Sequence, residues 1–215
     1  MTVTAKICGI SDKVALDAAI SGGARFAGFV FYPPSPRYVT PETVAHLVSN
    51  LADEVLRVGL VVDADDSTIG GILEHVPLEF LQCHGSESPA RVAEIKSRFQ
   101  LPVIKAINIA GPKDVERARD YEQDADWLLF DAKPPKSMPN ALPGGNALAF
   151  DWTLIADCSW TRPWMLSGGL DVDNVTEAVK VSGAQVVDVS SGVEDRPGAK
   201  NPARIVAFLD AVRAI

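Results

Sequence analysis

Short runs of β-forming apolar residues alternate along the whole chain with stretches of helical periodicity, and this alternation limits the fold more than any other feature. Eight runs are predicted to be strands: 5–8, 26–31, 57–62, 80–83, 103–107, 127–131, 164–167 and 186–189. Strict alternation of strands and helices indicates parallel strands joined by right-handed crossovers. Eight strand–helix units of about 27 residues use all 215 residues, and eight such units close a barrel. We therefore predict an α/β fold with one domain, residues 1–215, built as a single (β/α)8 TIM barrel.

A doubly wound open sheet is the alternative fold for such an alternation. It normally has fewer strands, and its dinucleotide-binding form needs a glycine-rich turn after the first strand. The corresponding turn here, Cys8-Gly9-Ile10-Ser11, holds a single glycine. The barrel is therefore the preferred prediction.

Helix boundaries are marked by residues that cap helices well. Thr40, Ser88 and Asn201 each precede a proline, which is the pattern of a side-chain N-cap followed by the first helical position. Gly183 and the Gly22-Gly23 pair follow helical stretches, where a left-handed glycine commonly ends a helix.

The chain is acidic, with 28 acidic and 20 basic residues, a formal net charge of −8 and a pI near 4.9. This balance argues against a general nucleic-acid binder and against a polybasic membrane anchor. No run reaches the roughly 18 apolar residues of a membrane span, and the N-terminus lacks the pattern of a secretion signal. The three cysteines form no CxxC pair and fit reduced thiols, so we expect a cytoplasmic protein.

Two turns that follow the last predicted strands have the composition of an anion site. Ser167-Gly168-Gly169 follows the seventh strand and Ser190-Ser191-Gly192 follows the eighth. Backbone N–H groups of such turns close on an anion and hydroxyls add donors, and barrels commonly bind phosphate at this place. Glycines that only close the barrel are the alternative, which two adjacent turns make less favourable. The predicted phosphate-binding residues are Gly168, Gly169, Ser190, Ser191 and Gly192.

Eight short motifs lie along the chain in the order of a known enzyme family. They are Lys6-Ile-Cys-Gly-Ile10, Gly28-Phe-Val-Phe31, Ser35-Pro-Arg37, Leu81-Gln-Cys-His-Gly85, Phe130-Asp-Ala132, Gly144-Gly145 before Phe150-Asp-Trp152, Leu166-Ser-Gly-Gly-Leu170 and Asp188-Val-Ser-Ser-Gly-Val-Glu194. Together they make the whole chain resemble the phosphoribosylanthranilate isomerases. This resemblance implies a (β/α)8 barrel that performs an Amadori rearrangement in tryptophan biosynthesis. N-(5-phosphoribosyl)anthranilate would become the 1-deoxyribulose 5-phosphate isomer without a cofactor.

The resemblance also implies the roles of the reacting groups, with Cys8 as the general base and Asp131 as the general acid. An acid must protonate the furanose ring oxygen to open it into a Schiff base, and a base must then remove the proton at C2. The two groups need opposite protonation states at neutral pH. We hypothesise that Lys6 or a neighbouring helix N-terminus lowers the pKa of Cys8. For Asp131, we hypothesise that apolar neighbours and the 132–150 loop, together with Asp188 as a repelling carboxylate, raise the pKa.

Three further residues are expected to contact the substrate or to support the site. Arg37 is implied as the partner of the anthranilate carboxylate, which the planar guanidinium fork matches well. His84 is expected to contact the aromatic ring. Asp188 either acts on the substrate site or pairs with Lys6 or Lys105 inside the barrel. The expected ligand is a small phosphosugar, with no nucleic-acid or membrane partner, and we expect a monomer or a homodimer.

Other phosphosugar barrels remain alternatives. A metal-dependent epimerase needs a ring of His and Asp ligands, and the chain has three histidines, His46, His75 and His84, so we predict no metal site. A dual-substrate isomerase that also serves histidine biosynthesis is expected to have an aspartate in place of Cys8. A non-catalytic phosphosugar-binding barrel would need none of Cys8, Arg37 and Asp131.

One motif departs from the family pattern. The family usually continues its glycine pair as Gly-Gly-Thr/Ser-Gly, whereas this chain has Gly144-Gly145-Asn146-Ala147. Because alanine lacks the access of glycine to positive φ, we expect Ala147 to avoid that conformation and the loop to close differently.

Overall fold

A closed barrel of eight parallel strands, in chain order, forms the centre of the computed structural model, which describes residues 2–49, 51, 55–135, 137 and 142–215. The strands are β1 (Thr4–Cys8), β2 (Phe26–Val30), β3 (Leu56–Val61), β4 (Phe80–Cys83), β5 (Val103–Ile109), β6 (Trp127–Ala132), β7 (Trp164–Leu166) and β8 (Val186–Val189). The helices are α1 (Lys13–Ser21), α2 (Pro41–Val48), α3 (Asp66–His75), α4 (Pro89–Phe99), α5 (Pro112–Ala118), α6 (Thr153–Ala156), α7 (Val175–Ser182) and α8 (Pro202–Arg213). The predicted barrel is confirmed, because β1 pairs with both β2 and β8, as no open sheet allows.

Barrel closure brings residues from the two ends of the chain into register. Lys6 on β1 lies beside Asp188 on β8, and Cys8 lies beside Gly28 on β2. A Cβ atom on Gly28 would lie 3.0 Å from Cys8 Sγ and 3.1 Å from Lys6 Nζ. Glycine at this position therefore leaves the room that both side chains occupy.

Apolar side chains fill two layers. An outer layer packs between strands and helices and includes Cys83 and Phe130. An inner layer closes the amino end of the barrel, where Phe26 makes edge-to-face contacts with Phe80 and Trp127 at 5.9 and 5.8 Å. Burying a large apolar side chain contributes about 1.5–3 kcal/mol, so this packed floor stabilises the barrel and leaves its carboxyl end for polar groups.

The predicted helix caps are present. The side chains of Thr40, Ser88 and Asn201 accept hydrogen bonds from backbone N–H groups in the first turns of α2, α4 and α8. Gly183 ends α7 with a φ of +72°, as a left-handed C-cap requires. At the end of α1 the positive φ falls on Gly23 rather than on Gly22.

A small hairpin after β8 was not predicted. A 3-10 turn, Ser191–Val193, leads into strands β9 (Glu194–Arg196) and β10 (Ala199–Lys200), which pair antiparallel. A Cβ atom on Gly198 in the turn of this hairpin would lie 2.3 Å from the carbonyl oxygen of Pro36. The hairpin therefore rests directly on the loop that follows β2.

Within the residues that the structure describes, no helix has both the length and the apolarity that crossing a membrane demands.

Candidate active site

A pocket lies at the carboxyl ends of the strands, lined by side chains and turns from most of the barrel. The predicted site residues that line it are Cys8, Arg37, His84, Asp131, Gly168, Gly169, Asp188, Ser190 and Ser191. Gly192 is not among the lining residues. A Cβ atom there would lie 2.0 Å from the carbonyl oxygen of Leu170, so Gly192 allows close packing between the two turns.

Lys6 and Asp188 form a buried ion pair beneath the pocket. Lys6 Nζ lies 2.8 Å from Asp188 Oδ1, and Ser167 Oγ donates to Asp188 Oδ2 over 3.0 Å. Both oxygens of Asp188 are therefore bonded to protein groups. Of the expected alternatives for Asp188, the structure shows the pair with Lys6.

Lys105 does not pair with Asp188, so that alternative is wrong. Its ammonium group lies 2.7 Å from Glu87 Oε2 and donates to the carbonyl oxygens of Gly85 and Cys83 over 2.7 and 3.3 Å. Glu87 also accepts from the backbone N–H of Gly85. This second buried ion pair fixes the loop that follows β4. The sequence analysis did not predict it, because Glu87 lies outside the predicted strand.

Burial raises the pKa of the Cys8 thiol, and the nearby Asp188 carboxylate adds to the rise, while Lys6 opposes it. Lys6 therefore acts in the predicted direction, but the net pKa of Cys8 is raised because burial outweighs it. Removing the thiolate from water costs more than the neighbouring ammonium group restores. Cys83 packs in the layer between strands and helices, and burial raises its pKa to about 12.

Asp131 lies at the end of a chain of buried side chains. Its Oδ1 accepts from the backbone N–H of Ala132 over 2.8 Å, and its Oδ2 lies 3.2 Å from His84 Nε2. His84 Nδ1 lies in turn 2.8 Å from Gln82 Nε2. With the amide donating to Nδ1, the ring carries its hydrogen on Nε2 and donates it to Asp131. His84 thus has a protein partner in addition to its predicted contact with an aromatic ring.

The loop that follows β6 lies over this acid. A Cβ atom on Gly144 would lie 2.6 Å from both Asp131 Oδ2 and His84 Nε2. Ala147 has a φ of +55°, so the expectation that it avoids positive φ is wrong. The Asn146 side chain bonds to both the N–H and the carbonyl of Leu142 and fixes the local turn. Residues 136 and 138–141 of the predicted long loop lie outside the described residues.

The predicted phosphate turn that follows β7 needs both of its glycines. Gly168 and Gly169 have φ values of +89° and +63°. A Cβ atom on Gly168 would lie 2.7 Å from the backbone nitrogen of Ala132, and one on Gly169 would lie 2.7 Å from the carbonyl carbon of Leu148. The β7 turn therefore packs against the end of β6 and against the loop beyond it, which places its backbone at the pocket wall.

Arg37 is buried and makes an ion pair that was not predicted. Its Nε and Nη2 donate to Glu194 Oε1 and Oε2, each over 2.8 Å, and Nη2 also donates to the carbonyl of Gly145 over 3.2 Å. The edge of the guanidinium group that would form a bidentate pair is therefore already bonded to Glu194. Among the described residues, Nη1 makes no hydrogen bond to protein.

Lys200 joins the same ion pair from the hairpin. Its Nζ lies 2.7 Å from Glu194 Oε1 and donates to Ser190 O and Oγ over 2.9 and 3.2 Å. Burial raises the pKa of the Glu194 carboxyl, but Arg37 and Lys200 outweigh it and the net shift is downward. The Pro197-Gly198 dipeptide is a turn signal that would have pointed to this hairpin.

Groups of three or more His, Cys, Asp or Glu side chains suited to a metal ion do not occur among the described residues.

Comparisons with known proteins agree with this geometry. A family model described as N-(5'phosphoribosyl)anthranilate (PRA) isomerase matches residues 5–211. The N-(5'-phosphoribosyl)anthranilate isomerase of Rhodospirillum centenum is 52% identical over 215 residues, with 100% of both chains covered.

Solved structures share the whole fold. The crystal structure of phosphoribosyl anthranilate isomerase from Thermotoga maritima superposes with a TM-score of 0.89 at 35% identity, and covers 100% of both chains. A crystal structure of phosphoribosyl anthranilate isomerase in complex with reduced 1-(o-carboxyphenylamino)-1-deoxyribulose 5-phosphate has a TM-score of 0.85 at 34% identity, again over 100% of both chains. Because the family model spans nearly all of a barrel that carries every motif of the resemblance, the chain belongs to the N-(5'-phosphoribosyl)anthranilate isomerase family.

Proposed function

We propose that this chain isomerises N-(5'-phosphoribosyl)anthranilate with Cys8 as the general base and Asp131 as the general acid. Family membership makes it an intramolecular aldose–ketose isomerase of tryptophan biosynthesis, whose reaction needs no cofactor. The observation that supports the residue roles is that Cys8, at the end of β1, and Asp131, on β6, line one pocket. Two strands, β7 and β8, separate β6 from β1 around the barrel, and the substrate would lie between the two groups.

The reaction needs two proton transfers from these groups. Protonated Asp131 gives its proton to the furanose ring oxygen, the C1–O bond breaks, and the lone pair of the nitrogen forms the Schiff base. The Cys8 thiolate then takes the proton from C2, and the electron pair moves toward nitrogen to give the enolamine. Return of a proton to C1 and loss of the proton on the C2 hydroxyl give the ketone.

The raised pKa of Cys8 fits the role of a base that acts on carbon. A thiolate with a high pKa is a small fraction of the protein at neutral pH, but it is a stronger base than an ordinary thiolate. Lys6 opposes this rise in pKa and so increases the fraction of Cys8 that is thiolate. We propose that Asp188 serves the reaction by holding Lys6 beside Cys8, because both of its oxygens are already bonded.

The remaining predicted residues are proposed to bind the two anionic ends of the substrate. The phosphate would lie against the turns of Gly168, Gly169, Ser190 and Ser191, with Gly192 allowing the turns to pack. The anthranilate carboxylate would bind Nη1 of Arg37, and the ring would contact His84. Arg37 and Ser190 line the same pocket as Cys8, which supports a substrate that reaches both.

Replacement of the two reacting groups tests the proposal. Cys8→Ala and Asp131→Asn are expected to lower kcat by about 10²–10⁴, the usual contribution of a positioned acid or base, with KM changed far less. The assay follows the fluorescence of freshly generated phosphoribosylanthranilate, beside the substrate of the dual-substrate isomerases. Cys158→Ala, at a half-exposed thiol away from the pocket, is the matched control. Unchanged turnover in either variant would remove that residue from its role.

Two broader expectations accompany this function. We propose a cytoplasmic location, which a place in amino-acid biosynthesis supports, and cell fractionation tests it. A monomer or a homodimer is proposed for the assembly, and light scattering on the purified protein distinguishes the two.

A further inference from the structure

Three buried charged groups and one half-buried hydroxyl form what we call the Glu194 cluster: Arg37, Glu194, Lys200 and Ser190. They come from two loops and the hairpin, and the hairpin carries Lys200 back underneath the β8 turn. The side chains of Arg37, Glu194 and Lys200 are 5%, 3% and 0% exposed. Such charges are costly to bury unless each is paired and hydrogen-bonded, so their arrangement needs a physical reason.

The three hydrogens of the Lys200 ammonium group each have an acceptor. These acceptors are Glu194 Oε1 at 2.7 Å, Ser190 O at 2.9 Å and Ser190 Oγ at 3.2 Å. Lys200 therefore bonds both to the carboxylate that holds Arg37 and to the turn that is proposed to hold phosphate.

The contact with Ser190 Oγ decides what this hydroxyl can do. A serine hydroxyl has one hydrogen to donate and lone pairs that accept. Because an ammonium group can only donate, Lys200 occupies a lone pair and leaves the Ser190 hydrogen free to point elsewhere. Ser190 lines the pocket, so this hydrogen is available to an oxygen of a bound anion.

The cluster also carries excess positive charge. Two cations, Arg37 and Lys200, share the single carboxylate of Glu194, which leaves one positive charge uncompensated within the cluster. In a buried site, where the effective dielectric constant is lower than in water, this charge attracts an anion more strongly than an exposed lysine does.

We propose that Lys200 is a positioning residue for the phosphate of the substrate, acting through Ser190 rather than by touching the phosphate itself. It keeps the Ser190 hydroxyl in the donor orientation and supplies the charge that makes the β8 turn attract an anion. The inference rests on the proposed function only in assigning phosphate to this turn. It adds a residue that lies outside the pocket lining and binds substrate indirectly.

The test measures inhibition by inorganic phosphate in Lys200→Met. A hydrogen bond to a charged group is worth about 1.5–3 kcal/mol, so the Ki for phosphate is expected to rise by about tenfold or more. KM should rise with it, while kcat changes less, because Cys8 and Asp131 are intact and because burial and Lys6 affect the pKa of Cys8 more than Lys200 does. Lys180→Met, at an exposed lysine of α7, is the matched control and should leave both constants unchanged.

A double-mutant cycle with Ser190→Ala separates positioning from a general structural effect. If Lys200 acts through Ser190, adding Lys200→Met to Ser190→Ala should raise the Ki for phosphate by less than about threefold. An equal rise in both backgrounds would overturn the proposal, as would an unchanged Ki in Lys200→Met alone. Lys200→Gln, which keeps an N–H donor without the charge, replaces the methionine variant if circular dichroism shows that it does not fold.

Phosphate-induced thermal stabilisation supplies a readout that does not depend on turnover. If the wild-type protein fails to isomerise phosphoribosylanthranilate, the proposed function fails, but the shift in Tm with phosphate still reports on Lys200. If turnover is normal and Lys200→Met shows the full phosphate-induced shift in Tm, the inference about Lys200 fails alone.

Discussion

Replacing Lys6 by methionine tests the electrostatics that keep Cys8 usable as a base. A Cβ atom on Gly28 would lie 3.0 Å from Cys8 Sγ and 3.1 Å from Lys6 Nζ, so the ammonium group and the sulfur lie no more than about 6 Å apart. At that distance and an effective dielectric constant of about 20, the attraction between ammonium and thiolate is about 3 kcal/mol. Its loss is expected to lower the thiolate population of Cys8 by about a hundredfold.

Alkylation of Cys8 by iodoacetamide measures this population without requiring turnover, because the thiolate is the reacting form. The rate is followed by mass spectrometry of the peptide that contains Cys8, from about pH 6 to pH 10. In wild type we expect the rate to keep rising above the pH at which an ordinary thiol has titrated, since burial raises the pKa of Cys8. In Lys6→Met the whole profile should move further toward alkaline pH, and kcat/KM should fall in parallel.

A second buried lysine provides the matched control. Lys105 is also almost fully buried and also pairs with a buried carboxylate, Glu87, so Lys105→Met imposes a comparable loss on folding. Its variant should alkylate Cys8 at the wild-type rate. The reasoning would be refuted if Lys6→Met alkylated Cys8 as fast as wild type at every pH. It would equally be refuted if Lys105→Met slowed alkylation to the same degree.

Three further predictions concern the loops around the pocket. Ala147→Gly should raise the free energy of unfolding by about 0.5–1 kcal/mol, because alanine at positive φ is strained; lower stability in urea would contradict this. Gly198→Ala should lower the free energy of unfolding by more than about 1 kcal/mol, because its Cβ would lie 2.3 Å from the Pro36 carbonyl. It should also raise KM, and an unchanged KM would contradict the contact between the hairpin and the loop after β2. Glu194→Gln should make the free energy of unfolding depend less on pH in acid. The net downward pKa shift of Glu194 stabilises the fold above the ordinary pKa of about 4.3, and protonation of the carboxylate removes this stabilisation at lower pH. Urea unfolding at neutral and acidic pH measures it, and a variant that loses as much stability below pH 4 as the wild type would argue against that contribution.

The barrel itself was predictable from the sequence because its signals are local and repeated. Each strand is a short apolar run, and helix starts such as Thr40-Pro41 depend on neighbouring residues only. The hairpin of β9 and β10 was missed for the opposite reason. Its strands are short and charged, and Glu194 and Lys200 are held there by Arg37 and Ser190, which are distant in sequence or belong to another element.

The site could be predicted as a set of residues but not as a set of bonds. Once β1 is placed beside β8, an ion pair between Lys6 and Asp188 becomes one of a few alternatives. The pKa of Cys8, by contrast, depends on a balance between burial and a nearby ammonium group, and burial cannot be read from the residue types. Ala147 shows a similar limit, since the packing of its loop overrides the local preference of alanine for negative φ.

The net charge of −8 belongs to the whole chain and does not describe the charge balance at the pocket. Three cations, Lys6, Arg37 and Lys200, are buried at the site against three carboxylates, those of Asp131, Asp188 and Glu194. When all are charged, these six residues sum to zero, although the Glu194 cluster by itself carries one positive charge. Once Asp131 holds the proton that its proposed role requires, the same six residues carry one net positive charge. Protonation of the acid therefore prepares the reaction and favours binding of the anionic substrate at the same time.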